Sequence, residues 1–176
     1  MTTLGDLPWT DDRGDTVTAV IEIPSGSRQK IEYDQIHDCF RLDRVLNMTM
    51  PGNYGFIPQT LCEDGDALDV LVIGDDVLST GTVLCVKPIG LIAMEDDGVL
   101  DHKVLAIPDY MELSDLPKSL RSGRTQRPLF GSILNFFQQY KGDGHTKVGE
   151  YVLPLTDALI EIENSVDEYA AASRAV

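Results

Sequence analysis

Asp64-Gly65-Asp66-Ala67-Leu68-Asp69 runs without a break into Val70-Leu71-Val72-Ile73. Three carboxylates crowd one short turn, and the turn opens a continuous apolar run. Like charges this close repel and raise one another's pKa. A solvated acidic turn tolerates that, but Asp69 stands at the edge of what reads as a buried strand. An uncompensated charge there is expensive. A hard divalent cation removes the cost, and carboxylate oxygens suit Mg²⁺ or Ca²⁺. The EF-hand Ca²⁺ loop fails on spacing. With Asp64 as position 1, position 6 is Asp69 rather than Gly, and position 12 is Asp75 rather than Glu. The stretch therefore predicts an open Mg²⁺ site that keeps waters and takes a phosphate ligand.

Outward from this turn the chain reads as short strands first and helices last. Thr16 to Ile23 alternates, with Val17, Ala19, Ile21 and Ile23 on one face and Val20 with Glu22 on the other, which predicts partial burial. Lys30 to Asp34 alternates cleanly and puts Lys30, Glu32 and Asp34 together. Phe40 to Arg44 places Arg44 beside Phe40 and Leu42, where an Arg calls for an anionic partner. Thr82 to Met94 and Val99 to Ile107 read as two strands joined by a turn at Asp97-Gly98. On the second of them Asp101 and Lys103 share a face, and Asp96 faces Asp101 from the turn.

Leu129 to Tyr140 has the i, i+3, i+4, i+7 pattern of a helix in Phe130, Ile133, Leu134 and Phe137, with Pro128 suited to its start and Gly142 to its stop. Val148 to Leu153 predicts a last strand. Thr156 is placed to cap a final helix with a stripe of Leu159, Ile162, Val166 and Tyr169. This order predicts one α+β domain over 1–176, a small barrel or curled sheet with C-terminal helices, preceded by a polar arm over 1–15. The basic stretch Lys118 to Arg127, with Arg121, Arg124 and Arg127 at intervals of three, reads as a solvated loop.

Composition narrows the function. The 176 residues suffice for one domain with a real core, and 43% hydrophobic with 24% charged content is ordinary for a globular protein. A net charge of −15 argues against nucleic acid, whose phosphates need Lys and Arg. A phosphate substrate must then arrive with metal or meet a local cluster of cations. Cys39, Cys62 and Cys85 lack CxxC spacing and read as buried free thiols. The scattered His37, His102 and His145 do not make a zinc site. The N-terminus lacks the pattern of a secretory leader, and no apolar run reaches the roughly 20 residues a membrane span needs. These features predict a cytoplasmic protein that binds neither nucleic acid nor membrane.

Asp64, Asp66, Asp69, Asp96, Asp101 and Glu32 thus stand as carboxylates on strand ends or faces. Lys30, Arg44, Lys103 and Lys141 stand as cations on neighbouring elements, and Tyr54 and Tyr140 add hydroxyls. Such a set suits phosphoryl transfer to water, with metals polarising the water and cations stabilising the phosphoryl oxygens. In its order and spacing the set resembles the soluble inorganic pyrophosphatases of the Mg²⁺-dependent, single-domain family. The resemblance rests on Ile21-Glu22-Ile23-Pro24, Lys30-Ile31-Glu32, Asp43-Arg44, Asn53-Tyr54-Gly55, Asp64-Gly65-Asp66 with Asp69, Asp96 with Asp101 and Lys103, and Tyr140-Lys141. It runs from about Thr16 to Tyr169.

The resemblance implies a five-stranded OB-like barrel flanked by helices, hydrolysis of inorganic pyrophosphate, several Mg²⁺ ions, and a homo-oligomer, hexameric in bacterial members of this length, with a dimer as the alternative. It implies that Asp64, Asp69 and Asp101 hold a first metal and that Asp69 is shared with a second. Asp96 and Asp101 would hold a metal arriving with the substrate, and Glu32 a further one. Asp66 would orient or deprotonate the water, with Tyr54 beside it. Lys30, Arg44, Lys103, Tyr140 and Lys141 would bind the phosphoryl groups, and Glu22 would be an outer-shell carboxylate. Two positions depart from the family pattern: Ala67 stands where Pro is usual, and Met50 where a Tyr is usual. Met donates no hydrogen bond, so a metal- or phosphate-binding protein with weak turnover is the alternative reading.

Overall fold

The apolar run after the acidic turn is strand β5 (Asp69–Val72), and it lies inside a closed barrel. The structure is a computed structural model and describes residues 3–11, 14–116, 127–142 and 144–175. In chain order its other elements are β1 (Val17–Ile23), β2 (Gln29–Asp34), β3 (Cys39–Val45), β4 (Asn53–Phe56), β6 (Val83–Ile92), β7 (Met94–Asp96), β8 (Val99–Leu100), β9 (Lys103–Pro108), α1 (Arg127–Gln139), β10 (Thr146–Val148) and α2 (Leu155–Arg174). The barrel closes in the order β1-β4-β5-β9-β6. Its neighbours are antiparallel except for β5 and β9, which run parallel. β2 and β3 form a separate hairpin, and β10-β7-β8 a small second sheet. This is the expected α+β, OB-like barrel with helices against it.

Both faces of the barrel wall are covered, which is why β5 carries no polar residue after Asp69. Leu71 joins Ile23, Ile92, Leu105 and the α1 residues Ile133 and Phe137 in one cluster. Val70 and Val72 join Ala19, Ile21, Val104 and the α2 residues Ala158 and Ile162 in the other. The same double cover corrects the expectation for β1: all seven of its residues are buried, Glu22 included. Alternation predicted a half-exposed strand, but closure and the helices bury its second face as well.

Close approach explains one glycine. A Cβ on Gly55 would lie 1.8 Å from the Val20 carbonyl oxygen of β1, so only glycine lets β4 pair there. Beside it, buried Asn53 accepts from the Ser25 and Leu78 amides and donates to the Asp76 carbonyl, tying two loops to β4. At the Asp97-Gly98 turn both residues have positive φ, +47° and +89°, as the tight hairpin requires.

Several boundaries differ from expectation. The strand expected over 82–94 breaks at Ala93, where the chain leaves the barrel for the second sheet, and its partner divides into β8 and β9 around Asp101 and His102. The strand expected over 148–153 reduces to β10 and a single bridge between Leu153 and Leu91. In α2, Pro154 is the cap and Thr156 lies inside the helix. Its buried residues are Ala158, Ile162 and Ser165, while Leu159 is 48% exposed. The Leu153–Leu91 bridge ties the chain just before α2 to β6, and Ala158 is fully buried against the barrel.

The described part of the arm is docked: the Thr18 amide donates to the Trp9 carbonyl at 2.8 Å, and Trp9 packs on the core. The three cysteines are free and half-buried rather than fully buried. Arg121, Arg124 and the rest of 118–126 lie outside the described residues, while Arg127 opens α1. Among the described residues no helix is long and apolar enough to cross a membrane.

Candidate active site

Asp69 and Lys103 are partners across the parallel β5–β9 pair, so the barrel itself sets a carboxylate beside an ammonium. Lys103 is 1% exposed. Its Nζ donates to Asp69 Oδ2 at 2.5 Å and to Asp101 Oδ1. Burial pulls its pKa down, but the two carboxylates outweigh that and hold it above the ordinary lysine value. Lys103 opens onto a cavity of about 370 Å³ between the barrel mouth, the β2–β3 hairpin and the end of α1.

The acidic loop forms one rim. The Asp66 amide donates to Asp64 Oδ1 at 3.0 Å and the Cys62 amide to the Asp66 carbonyl at 2.8 Å, with Gly65 at φ +90°. Buried Thr60 fastens the loop base: its Oγ1 donates to the Ile57 carbonyl and accepts from the Leu68 amide. Leu68 is fully buried and plugs the loop into the core. These bonds shape the loop with Ala67 in place of the expected Pro. Burial and the neighbours Asp64, Asp69, Glu32 and Asp101 all push the Asp66 pKa up.

The opposite rim comes from the hairpin and α1. Lys30 Nζ donates to Glu32 and, at 3.2 Å, to Asp43 Oδ2. Lys141, just past α1, donates to Asp96 Oδ2. Tyr54 lies beneath Lys103, whose Nζ is 6.0 Å from the ring centroid. Burial first, then Asp69, keeps the Tyr54 hydroxyl protonated far above its usual range. Tyr140 is raised in the same way by burial, against the opposing pull of Lys103. Met50 is buried in the apolar cluster with Phe136 and Phe137, and all three line the cavity.

The structure thus gathers twelve of the predicted residues around one cavity: Glu22, Lys30, Glu32, Tyr54, Asp64, Asp66, Asp69, Asp96, Asp101, Lys103, Tyr140 and Lys141. Arg44 is the exception. It pairs with Lys30 in register but is 42% exposed, 3.5 Å from Asp43 Oδ2, and does not line the cavity. Strand alternation put it on an apolar face, yet that face of β3 is open and Leu42 is exposed too. The role of Tyr33 was not legible in sequence: its backbone amide donates to Glu22 Oε1 at 2.7 Å, a contact between strands with no local signal.

The donor set suits a hard divalent cation, being all carboxylate oxygen. Asp96 Oδ1 is buried without a hydrogen-bond partner, an atom that a cation would satisfy. As the side chains stand, no three ligating groups among the described residues converge on one point. Lysines stand on the carboxylates instead.

Glu22 gives a pH prediction. Burial, and then Asp69, push its pKa from 4.5 up to about 8, against the Tyr33 amide, which lowers it. The folded state therefore holds a proton that the unfolded state has released between pH 4.5 and about 8, and stability falls as pH rises through that window. Glu22→Gln lacks the effect. In urea unfolding of metal-free protein, the wild type should lose more than about 1 kcal/mol relative to Glu22→Gln between pH 5 and pH 9. A constant difference would mean that Glu22 is ionised throughout.

Comparison with known proteins agrees with this arrangement. A family model described as inorganic pyrophosphatase matches residues 19–170. An inorganic pyrophosphatase of Saccharolobus solfataricus is 44% identical over 138 residues, 72% of this chain and 75% of that protein. One of Aquifex pyrophilus is 35% identical over 180 residues, 93% of this chain and 95% of that protein. The crystal structure of an inorganic pyrophosphatase from Neisseria gonorrhoeae matches with a TM-score of 0.80 and 37% identity, covering 93% of this chain and 96% of that one. Sequence and fold agree over nearly the whole chain, which belongs to the inorganic pyrophosphatase family.

Proposed function

We propose that this chain hydrolyses inorganic pyrophosphate to two phosphates, and that the carboxylates of the cavity hold divalent metal, Mg²⁺ foremost, while they do so. The observation that carries the reading is the interleaving of the two charge signs around one cavity: Lys30, Lys103 and Lys141 each bonded to carboxylates. A dianionic phosphoryl group fits the lysines, and a divalent cation fits the carboxylates they would then release.

In this reading Asp64, Asp69 and Asp101 hold one ion, Asp69 shares a second, Asp96 with Asp101 hold one that enters with the substrate, and Glu32 holds another. The ions supply charge neutralisation and a more acidic water. The chain's own groups do the rest. Asp66 accepts the proton of the attacking water, with a carboxyl already raised toward neutrality by burial and its neighbours. Tyr54 stays protonated and offers its hydroxyl as a donor near that water. Lys103, fixed at the cavity floor and always charged, takes charge developing on the phosphoryl oxygens. Lys30, Tyr140 and Lys141 bind the outer oxygens, Arg44 stands outside the cavity on the hairpin, and Glu22 supports the carboxylates behind Asp69.

We read the chain as a homo-oligomer, a hexamer before a dimer. Leu155 and Leu159, exposed in the first turns of α2, and exposed Tyr151 just before it support an interface. Three free thiols suit the cytoplasm.

Phosphate release from pyrophosphate, measured with millimolar Mg²⁺ and with excess chelator, tests the reading. Fast release that the chelator abolishes is expected. Pyrophosphate and Mg²⁺ binding without release would leave a binding protein, the alternative that Met50 and Ala67 raise.

A further inference from the structure

The tip of the acidic loop, Asp64 to Asp66, lies outside the strand pairing that places Asp69 beside Lys103. Asp64 and Asp66 are exposed, and the bonds among Cys62, Gly65 and Asp66 close within the loop itself. Two of the elements that touch the site from behind belong to one face of α2. The Leu61 amide, at the loop's entrance, donates to the Ser165 carbonyl at 2.9 Å, although that carbonyl lies inside the helix and already serves its own ladder. Ser165 is 3% exposed, its Oγ lies 3.7 Å from Cys62 Sγ, and it donates to the Glu161 carbonyl at 2.8 Å. One turn earlier, Glu161 Oε2 lies 3.7 Å from Nδ1 of His102. That nitrogen is buried and has no hydrogen bond. His102 stands between Asp101 and Lys103 and turns away from the cavity toward α2.

The geometry points to α2 as a brace between the loop tip that carries Asp64 and Asp66 and the segment that carries Asp101, with Ser165 and Glu161 as positioning residues for metal affinity. Ser165 fixes how near the helix the acidic loop sits. Glu161 lies against His102, in the segment that leads from Asp101 into β9. Ser165 and Glu161 are one helical turn apart on a helix anchored in the barrel by Ala158 and Ile162, so α2 links the loop entrance to the His102 segment, beside the anchors that Thr60 and Leu68 give the loop base. Partners behind the ligands tune metal affinity by orienting them. The inference rests on the proposed metal role of the loop.

The test is calorimetric titration of Mg²⁺ into substrate-free protein, with thermal unfolding alongside. Ser165→Ala keeps the Leu61 bond and should stay within about twofold of wild type. Ser165→Leu must push the loop off the helix and should weaken Mg²⁺ binding about tenfold. Glu161→Gln should weaken it about threefold more than Glu163→Gln, which removes the same charge from an exposed site on the same helix. Glu161 is half-buried, so that pair folds even if Ser165→Leu does not. A lowered melting temperature with unchanged Mg²⁺ affinity would make α2 a packing element only and overturn the proposal. Equal effects of Glu161→Gln and Glu163→Gln would do the same for Glu161. Wild-type protein that binds no Mg²⁺ would overturn the metal reading itself, and the brace with it.

Discussion

Asp66→Asn is expected to lower phosphate release about a hundredfold, within the range for loss of a positioned general base, while leaving Mg²⁺ bound. The substitution keeps the shape of the side chain and removes only its ability to take a proton. Asp66 suits that task better than its neighbours. Partial burial and four nearby carboxylates raise its pKa, and among the described residues no lysine bonds to it, whereas Asp69, Asp96 and Asp101 each bind an ammonium. Steady-state release at saturating Mg²⁺ and a Mg²⁺ titration read the two halves separately. Full turnover would remove Asp66 from proton transfer, and loss of Mg²⁺ binding would make it a ligand.

Lys103→Ala is expected to destabilise the metal-free protein by about 3 kcal/mol, at the lower end for breaking a buried pair. The lysine is nearly inaccessible, and its loss leaves Asp69 and Asp101 side by side in a low-dielectric floor. Millimolar Mg²⁺ should restore much of that stability, since a divalent cation satisfies the same carboxylates. Turnover should stay low in Mg²⁺, because the ammonium at the cavity floor that takes the developing phosphoryl charge is gone. Urea unfolding with and without Mg²⁺, beside phosphate release, checks both parts. A deficit that Mg²⁺ leaves unchanged would show that the two carboxylates are not a shared cation site.

Much of the molecule was legible from local pattern. The acidic turn entering an apolar run identified β5 and its carboxylates. Asp97-Gly98 identified a hairpin through the φ values those residues tolerate. The spacing of Phe130, Ile133 and Phe137 identified the buried face of α1. Each reading depended on residues within a few positions of one another, where backbone geometry sets the outcome.

The misreadings were of faces. β1 looked half-exposed, and Leu159 looked buried. Periodicity records which residues lie together, but not whether a second layer covers the other side or how far a helix rotates. Arg44 shows the same limit: its face was identified, but not that the hairpin leaves it open to solvent.

By itself the sequence determined the chemical inventory: the ordered carboxylates, lysines and tyrosines, the net charge of −15, and the strand-then-helix order of an α+β domain. Tertiary structure alone decided their pairing. Lys103 meets Asp69 only because β5 and β9 run parallel in one register, Lys141 meets Asp96 only because α1 ends beside the β7–β8 hairpin, and Glu22 is held by a Tyr33 amide from another strand. These contacts join residues 11 to 45 positions apart. Their geometry comes from barrel closure, a property of the whole chain that no local window contains.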